Sequence, residues 1–354
     1  MKKMISALLA LAMVFSLTAC TGTTPPAASS APAAESSAPA AGENNVANDP
    51  KVTLTYAEVN PEESLMGATA KAFKEKVEEL TGGSVTINVQ YSGVMGAEGD
   101  VLDTMLGGGG TVDIARVSAF SLTSYGAKKT SLLSVPYTFE GREHFWNFAK
   151  SDLGKEILNE TADLKLGIRG LFYAEEGFRN FFFKKEIKGI ADLKGTKIRV
   201  STDPIMTGMV SGLGASPTVV SFTELYTSLS SGVVDGAEQP IVNYQSNAFN
   251  EVAPYMILDK HTLGCAEVIV TDAAWAKLTD AQKAAVEEAG QFASDFNGGL
   301  SAKTENDCID SLKASGVTFV EVSNIQEWKD AIADVIATCI VGLEAEYEAI
   351  VNLA

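Results

Sequence analysis

Beyond residue 50 the apolar positions recur with two periods, every second residue or every third to fourth, and the two patterns trade places along the chain. Val52-Thr53-Leu54-Thr55-Tyr56 alternates and predicts an opening strand. Phe73, Val77 and Leu80 share one face of a helix that stops at Thr81-Gly82-Gly83, a run suited to a C-cap. Val85 to Val89 alternates again as a second strand. Asp100 to Leu106 reads as helix, Gly107 to Gly110 ends it, and Val112-Asp113-Ile114-Ala115 begins another strand. Strands alternating with helices predict an α/β protein with mostly parallel sheets. The last of these units recurs: Thr223 to Ser231 is helical, Gly232 stops it, and Val233-Val234-Asp235-Gly236-Ala237 resumes as strand. Val-Asp-x-Ala stands in both, at 112–115 and 234–237, as expected of two similar lobes facing each other. A cleft between two α/β lobes is a common way to grip a small solute by hinge closure.

The first 50 residues follow neither period. Lys2 and Lys3 precede an apolar stretch from Ile5 to Phe15, the length of a signal-peptide core and too short to span a bilayer. Leu17-Thr18-Ala19-Cys20 closes it and resembles the lipobox of bacterial lipoproteins, which implies a signal peptide over 1–19 and lipidation of Cys20. Thr21 to about Asn48 is almost wholly Ala, Pro, Ser, Thr and Gly, with too little apolar area to offset chain ordering, so 20–50 is expected to be a disordered tether. Its r.m.s. reach is ~30 Å. These features place the protein outside the cytoplasm, anchored to the bacterial cell membrane through Cys20. They exclude cytosolic metabolism, work on DNA and nucleotide-driven chemistry.

Without Lys2 and Lys3 the formal charge moves from −18 to −20, which argues against nucleic acid as a partner and repels anionic solutes at long range. An anionic ligand would need a few locally focused cations. Ala331 to Leu343, apolar but for Asp334, reads as a packed helix and not as a membrane span. Cys265, Cys308 and Cys339 lie in segments that look like ordinary core; three buried thiols are expected, one bridge plus a free thiol being the alternative. Neither these nor His144 and His261 show metal-ligand spacing, and no cofactor is indicated.

Lys194 to Val200 reads as a strand with Ile198 and Val200 inward and Lys197 and Arg199 on the other side. Thr202-Asp203-Pro204 then gives an N-cap and a first-turn proline, and Ser221-Phe222-Thr223-Glu224 is a capping box for the next helix. Arg199 thus falls at a strand's C-terminal end beside a helix N-terminus, where open α/β sheets bind ligands and where an anion is favoured. Arg179, among Phe178, Phe181, Phe182 and Phe183, cannot be desolvated unpaired. Its partner is either a carboxylate of the protein, such as Glu175 or Glu176, or one brought by a ligand. Glu58 and Asn60 at the end of the first strand, and Glu98 in the Gly96-Ala97-Glu98 turn, are further candidates that read equally well as solvated loop residues.

Gly195-Thr196-Lys197-Ile198-Arg199-Val200, Gly214-Ala215-Ser216-Pro217-Thr218, Phe222-Thr223-Glu224-Leu225-Tyr226 and Gly232 to Gly236 with Glu238-Gln239-Pro240 together resemble the signature run of TRAP-transporter solute-binding proteins, often C4-dicarboxylate binders. Leu80 to Gly83, Val112 to Ala115, Pro136-Tyr137-Thr138-Phe139 and Leu278 to Lys283 extend the likeness over essentially residues 51–354. The resemblance implies a two-lobed periplasmic-binding-protein-like fold with a ligand cleft between lobes and crossing hinge segments. It implies binding without catalysis of a small organic acid, a sugar acid or C4-dicarboxylate, and its delivery to TRAP integral membrane permease subunits. It also implies that Arg199 clamps the ligand carboxylate, that Arg179 is the second arginine, and that Phe222 is the cleft aromatic. Gln239 stands where the family usually has asparagine, so no particular ligand carries over. The lobes are expected at 51–176 with about 265–304, and at 177–264 with about 305–354. A receptor for an ABC importer or sensory kinase is the alternative. A tethered exported hydrolase is disfavoured because no Gly-x-Ser-x-Gly elbow is present and neither histidine has a triad context.

Overall fold

The computed structural model describes residues 46–354, so the signal peptide, Cys20 and nearly all of the tether lie outside the described residues. Among those described, nine strands form one sheet in the order β2-β1-β3-β8-β4-β7-β5-β6, with β9 on β8. The strands are β1 (Val52–Ala57), β2 (Val85–Gln90), β3 (Ile114–Ser118), β4 (Ile168–Phe183), β5 (Lys197–Val200), β6 (Ser216–Val219), β7 (Gly236–Pro240), β8 (Tyr255–Thr271) and β9 (Thr318–Glu321). The first helix, Leu65–Leu80, ends at Thr81 with Gly82 and Gly83 at positive φ, as the sequence predicts. No described helix is long and apolar enough to cross a membrane.

The sheet is mixed: most of its strand pairings are parallel, as the sequence predicts, but its long central strands are not. β1 pairs parallel with β2 and β3, β5 with β6 and β7, and β8 with β9. The centre is antiparallel: β3·β8, β4·β8 and β4·β7. β4 and β8 are 16 and 17 residues long and buried on both faces, so they lack the alternation that marks a half-exposed strand. Their register shifts between Glu175 and Phe178, where Gly177 takes φ +89°. On one side of that bulge β4 pairs with the stretch of β8 that also meets β3, and on the other it pairs with β7 and the start of β8.

The repeated Val-Asp-x-Ala does the same job twice. Asp113 Oδ2 accepts the Thr55 N–H at 2.9 Å and its own N–H donates to Thr55 O; Asp235 Oδ2 accepts the Lys197 N–H at 2.9 Å and its N–H donates to Lys197 O. Each aspartate locks the entry of one strand against its parallel neighbour. β3 and β7 therefore start at Ile114 and Gly236, later than the sequence reading placed them.

The cores divide along the sheet. Leu54, Phe73, Val77, Ile87 and Val270 pack together, as do Leu102, Met105, Val117 and Ile269. Leu225, Leu229, Ala237 and Met256 form another core, and Ile198, Val200 and Met206 a fourth, which Phe145, Phe148 and Trp328 join. The 35-residue helix Asp280–Ala314 contributes Val286 and Ala289 to one core and Cys308 and Leu312 to another.

Two smaller expectations need correction. Ala331 to Leu343 is not one packed helix: helices Ile325–Ala331 and Ala333–Cys339 break at Ile332, and the second buries none of its residues fully. Cys265 and Cys308 are buried free thiols, whereas Cys339, on that half-exposed helix, is only partly covered.

Candidate ligand-binding site

A cavity of about 490 Å³ opens where the C-terminal ends of β1, β3, β5 and β7 converge. That volume is ordinary for a small-molecule site. Arg199, Arg179, Gln239, Phe222, Glu98 and Asn60 all line it. Glu58 does not. Its carboxylate sits behind Asn60, on a second cavity of about 10 Å³ that Arg116 and Glu98 also border.

Arg199 reaches the cavity because strand alternation turns Ile198 and Val200 into the core and sends Arg199 to the opposite face. Asp203 caps the helix Pro204–Gly212 through its Oδ1, which accepts the Ile205 N–H at 2.8 Å, with Pro204 in the first turn as the sequence predicts. Arg199 is 1 % exposed. Its Nε donates to Val220 O at 2.8 Å, Nη1 has no partner, and no ion pair reaches it from the described residues. Burial lowers it to about 10, Glu238 partly opposing, so it remains a cation at neutral pH. A buried charge with unused donors is an unmet demand for an anion.

Arg179 is buried and paired, and its partner is Glu238, not Glu175 or Glu176. Its Nε bonds Glu238 Oε2, its Nη2 reaches Glu238 Oε1 at 2.8 Å, and its guanidinium lies 5.2 Å from the Phe120 ring. His261 extends the chain, with Nε2 3.5 Å from Glu238 Oε2 and Nδ1 2.6 Å from Asp259 Oδ2. Burial alone would lower His261, but Asp259 and Glu238 raise it to about 9; burial would raise Glu238, but Arg179 and His261 hold it at about 2. The two carboxylates thus favour the protonated imidazolium. Glu175 is held instead by Arg142, at 2.7 Å from Nε.

Arg116 is a charged cavity residue that sequence reading missed. It lines the cavity, bonds Glu98 Oε1 through Nη1 at 2.5 Å and meets Glu176 through Nη2. Glu98, first residue of the helix Glu98–Leu106, also accepts the Ser118 N–H at 3.1 Å and the Ser121 hydroxyl at 2.8 Å. A signal was present: Arg116 directly follows the first Val-Asp-x-Ala, as Glu238, the partner of Arg179, follows the second. Asn243 was missed too; it lies in the helix Ile241–Ser246 just after β7, with Nδ2 donating to Glu176 Oε1 at 3.1 Å and Oδ1 unpartnered.

Asn60 donates from its backbone and side chain to Glu58 Oε1, at 2.8 and 2.9 Å. Glu58 Oε2 has no partner, and burial raises this carboxyl, Arg116 opposing. Phe222 packs edge-on against Phe249 at 5.8 Å. It opens a 3-10 turn, Phe222–Glu224, ahead of the helix Leu225–Ser231, and the expected capping box is not formed. Ser221 Oγ donates to Glu224 Oε2 at 2.7 Å in place of accepting from the backbone. Gln239 pairs across the sheet with Asn180. Among the described residues no cluster of His, Cys, Asp or Glu is disposed to hold a metal ion.

Residues 56–341 match the family model described as bacterial extracellular solute-binding protein, family 7. A solute-binding protein of Roseobacter denitrificans is 32 % identical over 272 residues, 77 % of this chain and 82 % of its own. A crystal structure of a TRAP periplasmic solute-binding protein from Roseobacter denitrificans OCh 114, with bound L-galactonate, superposes with a TM-score of 0.78 at 30 % identity, covering 84 % of this chain and 99 % of that one. A second, from a Bradyrhizobium species in complex with D-galacturonate, gives 0.80 at 27 %, covering 85 % and 99 %. Sheet, cavity and kinship agree: this chain belongs to the TRAP-transporter solute-binding proteins of extracellular family 7, two-lobed α/β receptors and not enzymes.

Proposed function

We propose that the protein captures a small organic acid by seating its carboxylate on Arg199 and delivers it to the integral subunits of a TRAP permease. The observation that carries this reading is the guanidinium itself: buried, on the cavity wall, bonded only to one backbone carbonyl and free of any ion pair among the described residues. The sugar acids bound by related receptors, L-galactonate and D-galacturonate, supply the candidate class. Lobes at 51–176 with about 265–304, and 177–264 with about 305–354, would hinge where β4 and β8 cross near residues 176–177 and 264–265. The register break between Glu175 and Phe178 supports that placement. Lipidation at Cys20 would hold the receptor at the membrane, within reach of the permease.

Calorimetric titration of wild type and Arg199→Ala with galactonate and galacturonate tests the clamp. Removing one partner of a buried charge pair predicts at least ~30-fold weaker binding; unchanged affinity would refute it. Cys20→Ser is expected to release the protein from the membrane fraction, and retention there would refute the anchor.

A further inference from the structure

Of the three guanidiniums that line the cavity, two are already neutralised by the protein. Arg116 spends Nη1 on Glu98 and Nη2 on Glu176, and Arg179 is held by Glu238. Arg116 keeps Nε unpartnered, but among the described residues only Arg199 of the three has both an unpartnered donor, Nη1, and no carboxylate against it. The same wall carries four carboxylates, Glu98, Asp100, Glu176 and Glu224. A first ligand carboxylate therefore finds a cation, while a second finds either like charge or a guanidinium whose release would strand a buried glutamate.

A different demand comes from Asn243. Its Nδ2 donates to the Glu176 carboxylate, a group with lone pairs only, which fixes which end of the amide is which. Oδ1 is left buried, on the cavity wall, without a donor. An acceptor so placed is satisfied by a hydroxyl and left wanting by a methylene.

We propose that the cavity selects monoanionic, hydroxyl-rich acids over dicarboxylates, with Arg199 taking the single carboxylate and Asn243 Oδ1 accepting a ligand hydroxyl. This deepens, and rests on, the Arg199 reading above. Of the two classes that the sequence resemblance named, this selectivity favours the sugar acids over the C4-dicarboxylates.

Matched acids on one carbon skeleton test it without altering the protein. Wild-type protein is titrated calorimetrically at neutral pH with galactonate and galactarate, gluconate and glucarate, and the hydroxyl-free hexanoate. The better aldonate is expected to bind at least ~30-fold tighter than its diacid, because like charges meet in the diacid. Hexanoate is expected to bind more weakly than that aldonate. Asn243→Ala should lower aldonate affinity ~10-fold while leaving hexanoate unchanged. A diacid that equals or beats its aldonate overturns the charge argument, and an unchanged aldonate affinity in Asn243→Ala overturns the hydroxyl contact; in both cases the Arg199 clamp survives. Binding by none of the five acids would remove the clamp and this selectivity together.

Discussion

Two buried arginines, on β4 and β5 with β7 between them, should respond oppositely to the same substitution. Arg199 is desolvated without a counter-ion, so Arg199→Met is expected to raise the unliganded protein's urea midpoint while abolishing binding. Arg179→Met strands Glu238 and should cost ~3–5 kcal/mol, read as a lower midpoint at unchanged m-value. Arg199 was legible in the sequence because alternation and a capped helix fix where it points. The partner of Arg179 was not, since Glu238 meets it only through the β4·β7 pairing, 59 residues away. The same network sets a pH window. His261 is raised from 6.5 to about 9, so its contribution to stability is full below about 6.5 and is lost as pH rises through about 9. Glu238 is lowered from 4.5 to about 2, so its contribution is full above about 4.5 and is lost as pH falls toward 2. Wild type should therefore lose more stability than His261→Gln between pH 7 and 10, measured by urea denaturation; parallel profiles would contradict the assignment.

At the scale of elements, the long central strands carry charges that a sequence pattern treats as exposed. β4 holds Glu175, Glu176 and Arg179, and β8 holds Asp259, His261 and Glu267, all buried. Their partners lie elsewhere in the fold, Arg142 on a helix for Glu175, Arg116 on β3 for Glu176 and Glu238 on β7 for Arg179, which is why spacing could not reveal them; the flanking half-exposed strands β1 and β2 were plain from alternation. Glu267 is the exception. Both its carboxyl oxygens lack partners, and burial, with Glu160 adding to it, raises the group well above the ordinary range. A raised carboxyl leaves the folded state holding a proton that the unfolded chain releases, so stability falls as pH climbs above about 4.5. Glu267→Met removes that liability. Its midpoint should exceed wild type's by a margin that widens from pH 5 to pH 8, and a margin that narrows would place the charge on a partnered group.

Over the whole molecule, the net charge of −18 opposes the approach of an anion, while Arg199, buried without a carboxylate partner among the described residues, offers a counter-charge inside the cavity. Association measured by stopped flow should then accelerate as salt rises from 20 to 300 mM, because screening removes the long-range repulsion sooner than it weakens a desolvated pair. A rate that falls with salt would mean that the cavity's own field governs the encounter. The most direct test is a crystal structure of the protein grown with galactonate. Arg199 Nη1, unpartnered without ligand, is predicted to donate to a carboxylate oxygen at about 3 Å, with the hydroxylated chain running toward Asn243. A carboxylate bound elsewhere, with Arg199 still bonded only to Val220 O, would contradict that prediction.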